Sequence, residues 1–154
     1  MKCLLPERLH VRAFRANNGE RGWRREDLPE VLKAYAEAGV PVERFEVWLV
    51  NSKGQWTGMF PTRDGNEAIC VYEVQPNHDE TTKDFALRCA RDILEIVEAT
   101  DLESLILEKA LPWVRYNLYV EEEYKSEQKG GSEGHPQTCP PPTPGLRLLS
   151  FPTQ

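Results

Sequence analysis

The residues able to do chemistry are scattered along the chain. The histidines are His10, His78 and His135, and the cysteines are Cys3, Cys70, Cys89 and Cys139. His78 stands eight residues after Cys70 and eleven before Cys89, which fits no zinc-ligand spacing; His135 and Cys139 lack a second pair. Cys89 falls on the apolar stripe of a long helical pattern, where a thiol is a small buried hydrophobe rather than a nucleophile. Ser52 and Ser104 lack the strand–turn–helix context of a nucleophile elbow. Gly54 and Gly58 lie within a hairpin pattern and do not form a phosphate-cradling loop. Asp64 with Glu67, and Asp79 with Glu80, are carboxylate pairs, but general acid–base work needs such groups in a cleft with shifted pKa values. Turn and cap roles account for them. The sequence therefore points to no catalytic set, no metal site and no cofactor.

Aromatic residues on open faces are the stronger signal. In the stretch from Phe45 to Pro61, Phe45, Val47 and Leu49 share one face, and Glu46, Trp48 and Val50 the other. Trp56, Met59 and Phe60 follow the turn Asn51-Ser52-Lys53-Gly54. Only one face of this hairpin can pack on the helices, so Trp48 is either core under a second layer or part of an interface. Exposed Trp beside Arg and acidic groups has the composition of residues that dominate interface energies. The partner-binding set expected around the hairpin end is Trp56, Arg63, Asp64, Glu73 and Asp79. Two other readings remain open. One is a small ligand-binding domain or enzyme with a sheet–helix pocket lined by Tyr72, His78 and Asp79. The other is nucleic-acid binding through the basic start of the chain.

Charge weighs between these. The chain of 154 residues carries a net charge of −6. Residues 1–25 hold seven Lys/Arg against two Glu, and the remainder 12 basic against 23 acidic residues. The net negative field argues against nucleic acid or an anionic membrane and favours a basic protein partner. Arg12, Arg15, Arg21, Arg24 and Arg25 interleave with Phe14 and Trp23, a phosphate-plus-stacking composition, but they can equally pair with the acidic body. No apolar run reaches the roughly 20 residues of a membrane span. The apolar run at Cys3-Leu4-Leu5 is too short for a secretory segment, so the expectation is a cytoplasmic protein with reduced thiols.

The elements that must position these residues follow from periodicity. Leu9, Val11 and Ala13 alternate with His10, Arg12 and Phe14, predicting a short strand over 9–15. A helix is predicted over 26–38: Leu28, Val31, Leu32 and Tyr35 form one stripe, Asp27 and Glu30 suit a capping box, Pro29 falls in the first turn, and Gly39 ends it. The hairpin comes next, with Gly54 supplying a positive φ. Both faces of residues 68–73 are largely apolar, predicting a central strand and a three-stranded antiparallel meander. A long helix over 81–99 buries Ala86, Cys89, Ala90, Ile93 and Val97, with Phe85 and Leu94 beside them; its cap is Thr81 with Asp84, or Asp79 with Thr82. Asp101 caps a short helix, Leu102 to Lys109. Residues 113–120 read first as a strand and second as a helix running into Glu121-Glu122-Glu123.

From Ser126 onward the Pro- and Gly-rich composition cannot offset its ordering entropy. The expectation is a disordered, Pro-rich C-terminal tail, with Leu146 to Phe151 a short apolar end able to dock. The whole reads as α+β: one domain over residues 1–125, an antiparallel sheet of four or five strands packed against two or three helices, then a flexible tail over 126–154.

Residues 22–98, about half the chain, resemble a family of small immunity proteins from bacterial polymorphic toxin systems. The resemblance rests on Trp23, the run Arg24-Arg25-Glu26-Asp27-Leu28, Leu32, Gly39, Glu46-Val47-Trp48, Phe85, Ala90 and Ile93. The chain departs from that pattern at Arg44-Phe45-Glu46, where the family has two glycines and an Asp before the Val. The resemblance implies a cytoplasmic, cofactor-free protein that binds and neutralises a cognate toxin. The acidic body would speed capture of a basic toxin domain.

Overall fold

In a computed structural model the described residues are 3–128 and 145–152. In chain order they form α1 (Glu7–His10), β1 (Phe14–Arg15), β2 (Arg21–Trp23), α2 (Leu28–Glu37), β3 (Arg44–Val50), β4 (Trp56–Thr57), β5 (Met59–Pro61), β6 (Asn66–Glu73), α3 (Thr82–Ala99), α4 (Leu102–Leu105), β7 (Val114–Tyr119), α5 (Glu121–Gln128) and β8 (Gly145–Pro152). Two 3-10 turns, Arg25–Asp27 and Glu108–Trp113, lead into α2 and β7. The class is α+β with an antiparallel sheet, as expected. The sheet is cut into more segments than four or five because several are only two or three residues long.

Every strand pairing is antiparallel. The spine runs β1–β2–β7–β3–β6. β8 pairs with all eight residues of β6, from Asn66 to Glu73, while β3 and β5 share the other edge. The simple meander expected for residues 45–73 is thus modified. Arg44–Glu46 of β3 pair directly with Val71–Glu73 of β6. The intervening chain dips into the fork between them, β4 against the end of β3 and β5 against the start of β6.

Alternation sets the two faces. Phe45 and Val47 of β3, Ala68 and Cys70 of β6, and Tyr116 and Leu118 of β7 point to α2 and α3. Leu28, Val31, Leu32 and Tyr35 of α2 meet them, as do Phe85, Ala86, Cys89, Ile93 and Val97 of α3. Both helical stripes are those the 3.6-residue spacing predicts. The Thr81 hydroxyl caps α3 by accepting from the Asp84 N–H at 3.1 Å, and the Asp101 carboxylate caps α4 by accepting from the Ser104 N–H at 3.3 Å. Gly39 and Gly54 adopt φ of 70° and 77°, as their turns require.

Three local expectations are corrected. Residues 7–10 are helical, and only Phe14–Arg15 of the predicted 9–15 strand pairs. Leu9 of α1 and Leu5 just before it enter the core while Val11 is exposed, so the alternation does not set the buried face. The Asp27–Glu30 capping box is not made. Glu30 instead accepts from the Arg8 and Arg12 guanidiniums, and the Asp27 carboxylate lies 3.5 Å from Arg12 Nη1. α4 stops at Leu105 because Ile106 bridges to Thr62, and the Leu107 N–H bonds the Pro61 carbonyl at 2.9 Å. Residues 113–120 take the first reading, a strand, as β7, and the helix begins only with the acidic run, as α5.

The tail reading divides. Residues 129–144, with Cys139 and His135, lie outside the described residues, whereas 126–128 continue α5 and 145–152 form β8. The start of α5 is pinned from inside: the buried Glu123 carboxylate accepts from Tyr35 Oη at 2.8 Å and the Leu4 N–H at 3.0 Å, and lies 3.6 Å from Arg21 Nη1.

Candidate binding surface on the open sheet face

The sheet face turned away from α2 and α3 carries Arg44, Glu46, Trp48 and Val50 of β3. Across from them lie Arg115, Asn117 and Tyr119 of β7. Its two ends differ. At one end Arg44 sits 4.9 Å over the Tyr119 ring, and Tyr119 stacks on Tyr124 of α5 at 4.7 Å between centroids. The Tyr124 hydroxyl donates to the Glu20 carboxylate, and burial pushes that phenol's pKa up.

At the other end Trp48, Val50 and Ala16 form a small second core, with Phe14 packed on it. Trp48 is buried, and Trp56 lies on it with ring centroids 4.1 Å apart and planes 11° from parallel. Trp56 itself stays 38% exposed. Beneath the stack Gly22 is a required close approach: a Cβ there would stand 2.9 Å from Arg115 Cβ and 3.4 Å from Trp48 Cε3. Burial raises the pKa of Glu46, beside Trp48 on the same strand, and the neighbouring Arg44 charge partly offsets that rise. Asn17 closes the hairpin tip: its N–H donates to the Gly54 carbonyl at 3.0 Å and its amide to the Lys53 carbonyl at 3.1 Å. Trp48 is therefore core, but the core of a satellite cluster that the N-terminal segment and Trp56 cover.

The five residues expected to bind a partner do not share one surface. Trp56 sits opposite Val50 and Glu73 opposite Arg44, at opposite ends of β3, a separation of about 20 Å at ~3.3 Å per residue. Arg63 is a clasp: its Nε donates to the Ile106 carbonyl at 3.1 Å and its Nη2 to the Glu103 carbonyl at 2.7 Å. Asp64 closes its own turn by accepting from the Thr62 hydroxyl and the Asn66 N–H, bonds that hold its carboxyl below the ordinary range. Glu73 is 3.9 Å from Arg44 Nη1. Asp79 pairs with His78 in full solvent. That exposure also separates His78 and Asp79 from Tyr72, whose ring packs on Phe45, so these three line no common pocket.

Much of the basic start is occupied. Arg8 and Arg12 reach Glu30, Arg21 faces Glu123, and Arg25 Nη2 donates to the Val97 carbonyl at 3.2 Å. Cys70 and Cys89 are free and buried, and burial pushes both thiols up to about 12. Among the described residues no group of three or more His, Cys, Asp or Glu is placed to hold a metal ion, and no helix is long and apolar enough to cross a membrane.

Sequence reasoning missed Phe14 and Arg115 on the open face. The signal was present for Arg115, since Trp113, Arg115, Asn117 and Tyr119 share one parity; what was lacking was the pairing that sets Arg115 opposite Trp48. Comparison with protein-family models, with curated proteins and with solved structures finds no match for this chain.

Proposed function

We propose that this is a non-catalytic binding protein that captures a protein partner through the Trp56 end of the open sheet face, and that it acts as an immunity-type inhibitor of a basic toxin domain. The observation that carries the reading is the Trp48–Trp56 stack. A half-exposed indole held flat on a buried one is already ordered before it meets a partner, so little side-chain entropy remains to be lost on binding. Trp is also among the residue types that most often dominate interface energies. The excess of acid over base beyond residue 25 supplies long-range attraction for a basic partner.

The test is calorimetric titration of the full chain with the toxin domain that co-purifies from the source cell, together with the toxin's activity assay. Trp56→Ala should weaken binding by roughly tenfold to a hundredfold and relieve inhibition, as loss of a central anchor does. Lys83→Ala, on α3 in the opposite layer, should leave both unchanged. Undiminished affinity of a folded Trp56→Ala protein sinks the site. Absence of any stoichiometric protein partner sinks the inhibitor reading.

A further inference from the structure

A cavity of about 210 Å³ opens where the turn after β2 meets α4 and the start of β7. Its floor is apolar: Leu102, Ile106, Leu111, Val114 and the ring of Tyr116. Three arginines line it, Arg24, Arg25 and Arg115, with Glu26 and Glu103 also on the wall. Two of the arginines are positioned by backbone carbonyls rather than by carboxylates, and Arg24 is exposed at the rim. Arg25 Nη2 donates to the Val97 carbonyl at 3.2 Å, and Arg115 Nη1 to the Pro112 and Val114 carbonyls at 3.0 and 2.8 Å. Among the described residues none of the three guanidiniums comes within 4.0 Å of a carboxylate. Burial, and then the neighbouring charge of Arg24, push the pKa of Arg115 below its ordinary value, an electrostatic cost that a bound anion would relieve.

We propose that this cavity is a binding site for a small organic monoanion. The ligand is a carboxylate with a short branched or aromatic body, its head between Arg24 and Arg115 and its body on Leu102, Ile106 and Leu111. Guanidinium groups take carboxylates in paired hydrogen bonds, and Arg115 keeps Nε and Nη2 for that purpose after Nη1 is used. The apolar floor selects an organic body over a bare inorganic ion. Glu26 and Glu103 leave the lining one positive charge in excess, and Asp27 also acts on Arg115, so the site suits a monoanion better than a phosphate dianion. The volume lies below the ~300–1,000 Å³ of ordinary drug-sized sites, so a nucleotide is too large to be enclosed. Through Arg115, which stands opposite Trp48, the cavity adjoins the partner surface, but a ligand held by Arg24 and the apolar floor requires no partner at Trp56.

The experiment is a backbone-amide NMR titration of the full chain with isovalerate, isovaleramide and inorganic phosphate, repeated on Arg24→Gln and on the charge-matched control Lys33→Gln. Arg24 and Lys33 are both exposed, so neither change threatens the fold. Isovalerate should shift resonances of residues 24–26, 102–106 and 111–116 saturably. The amide should bind at least about tenfold more weakly, a loss of ~1.4 kcal/mol. Arg24→Gln should weaken isovalerate by about the same factor, and Lys33→Gln should not. Equal binding of acid and amide overturns the proposal. So do unchanged binding in Arg24→Gln, no saturable shifts at these residues, or phosphate binding as tightly as isovalerate.

Discussion

Replacing Gly22 by Ala adds one methyl group at the point where β2, the Arg115 stem and the Trp48 ring converge. Gly22 is hydrogen-bonded into the sheet on both sides, opposite Phe14 of β1 and Asn117 of β7. Its backbone is not in the left-handed region, so Ala meets no backbone strain. On conformational grounds alone Gly→Ala at such a site stabilises by about 0.4–1 kcal/mol, because the unfolded chain loses freedom. Against this stands the steric term. The new Cβ would lie 2.9 Å from Arg115 Cβ, an atom fixed by the β7 backbone rather than the tip of a flexible side chain, and 3.4 Å from Trp48 Cε3. Relief requires β2 and β7 to shift relative to each other, and inserting a methyl into a packed site typically costs about 1–3 kcal/mol. The steric term wins, leaving a net destabilisation of about 1–2 kcal/mol. For a domain of this size that lowers Tm by roughly 2–8 °C. Urea unfolding should show a lower midpoint with an unchanged slope, and the near-ultraviolet circular dichroism of the Trp48–Trp56 pair should change because the β2–β7 shift that relieves the Arg115 contact moves the backbone on which the Trp48 ring rests. A Gly22→Ala protein as stable as the wild type, or more stable, would refute the claim that this close approach constrains the sheet.

Two further outcomes follow from buried or paired carboxylates. The Glu80 carboxylate accepts from Arg88 Nε and Nη2 at 2.8 and 2.7 Å, and these bonds bring its pKa down to about 2. A folded-state pKa below the ordinary ~4.3 of Glu gives a contribution to stability that is present above that value and disappears as pH falls through about 2. Glu80→Gln should therefore flatten the loss of stability over that window in urea titrations at stepped pH, and an acid limb identical to wild type counts against the pairing. Glu123→Ala removes the acceptor of Tyr35 Oη and the Leu4 N–H and takes away the carboxylate facing buried Arg21. Breaking such a buried pair costs about 3–5 kcal/mol, read by chemical denaturation. A loss under about 1 kcal/mol would place the anchoring of α5 elsewhere.

How much was legible depends on how many residues a signal averages over. The stripes of α2 and α3 repeat over three or more turns, so Leu28–Val31–Leu32–Tyr35 and Phe85–Cys89–Ile93–Val97 identified their own buried faces. Thr81 and Asp101 cap their helices through bonds three residues long, which local sequence contains in full. The misread segments are those where a distant group outbid a local one. Glu30 was drawn from its cap by Arg8 and Arg12, about 20 positions away, and α4 was cut short by a bridge from Thr62 to Ile106. The same asymmetry explains the candidate site.

Composition marked Trp56 as an exposed aromatic, and it is 38% exposed. Composition gave no sign that Arg63 and Asp64 are consumed by the architecture of their own turn. Side-chain type states what a residue can bond to, and only the register states whether that capacity is already used. Arg63 and Arg115 are chemically identical, yet Arg63 spends its fork on the carbonyls of Glu103 and Ile106, while Arg115 uses one nitrogen on nearby carbonyls and lines a cavity. The arginine that the sequence placed in a functional role is structural, and the one it passed over faces an apolar-floored cavity with charge left to spend. A search for function in such a chain therefore has to begin from the hydrogen bonds that remain unmade after the fold has taken its share.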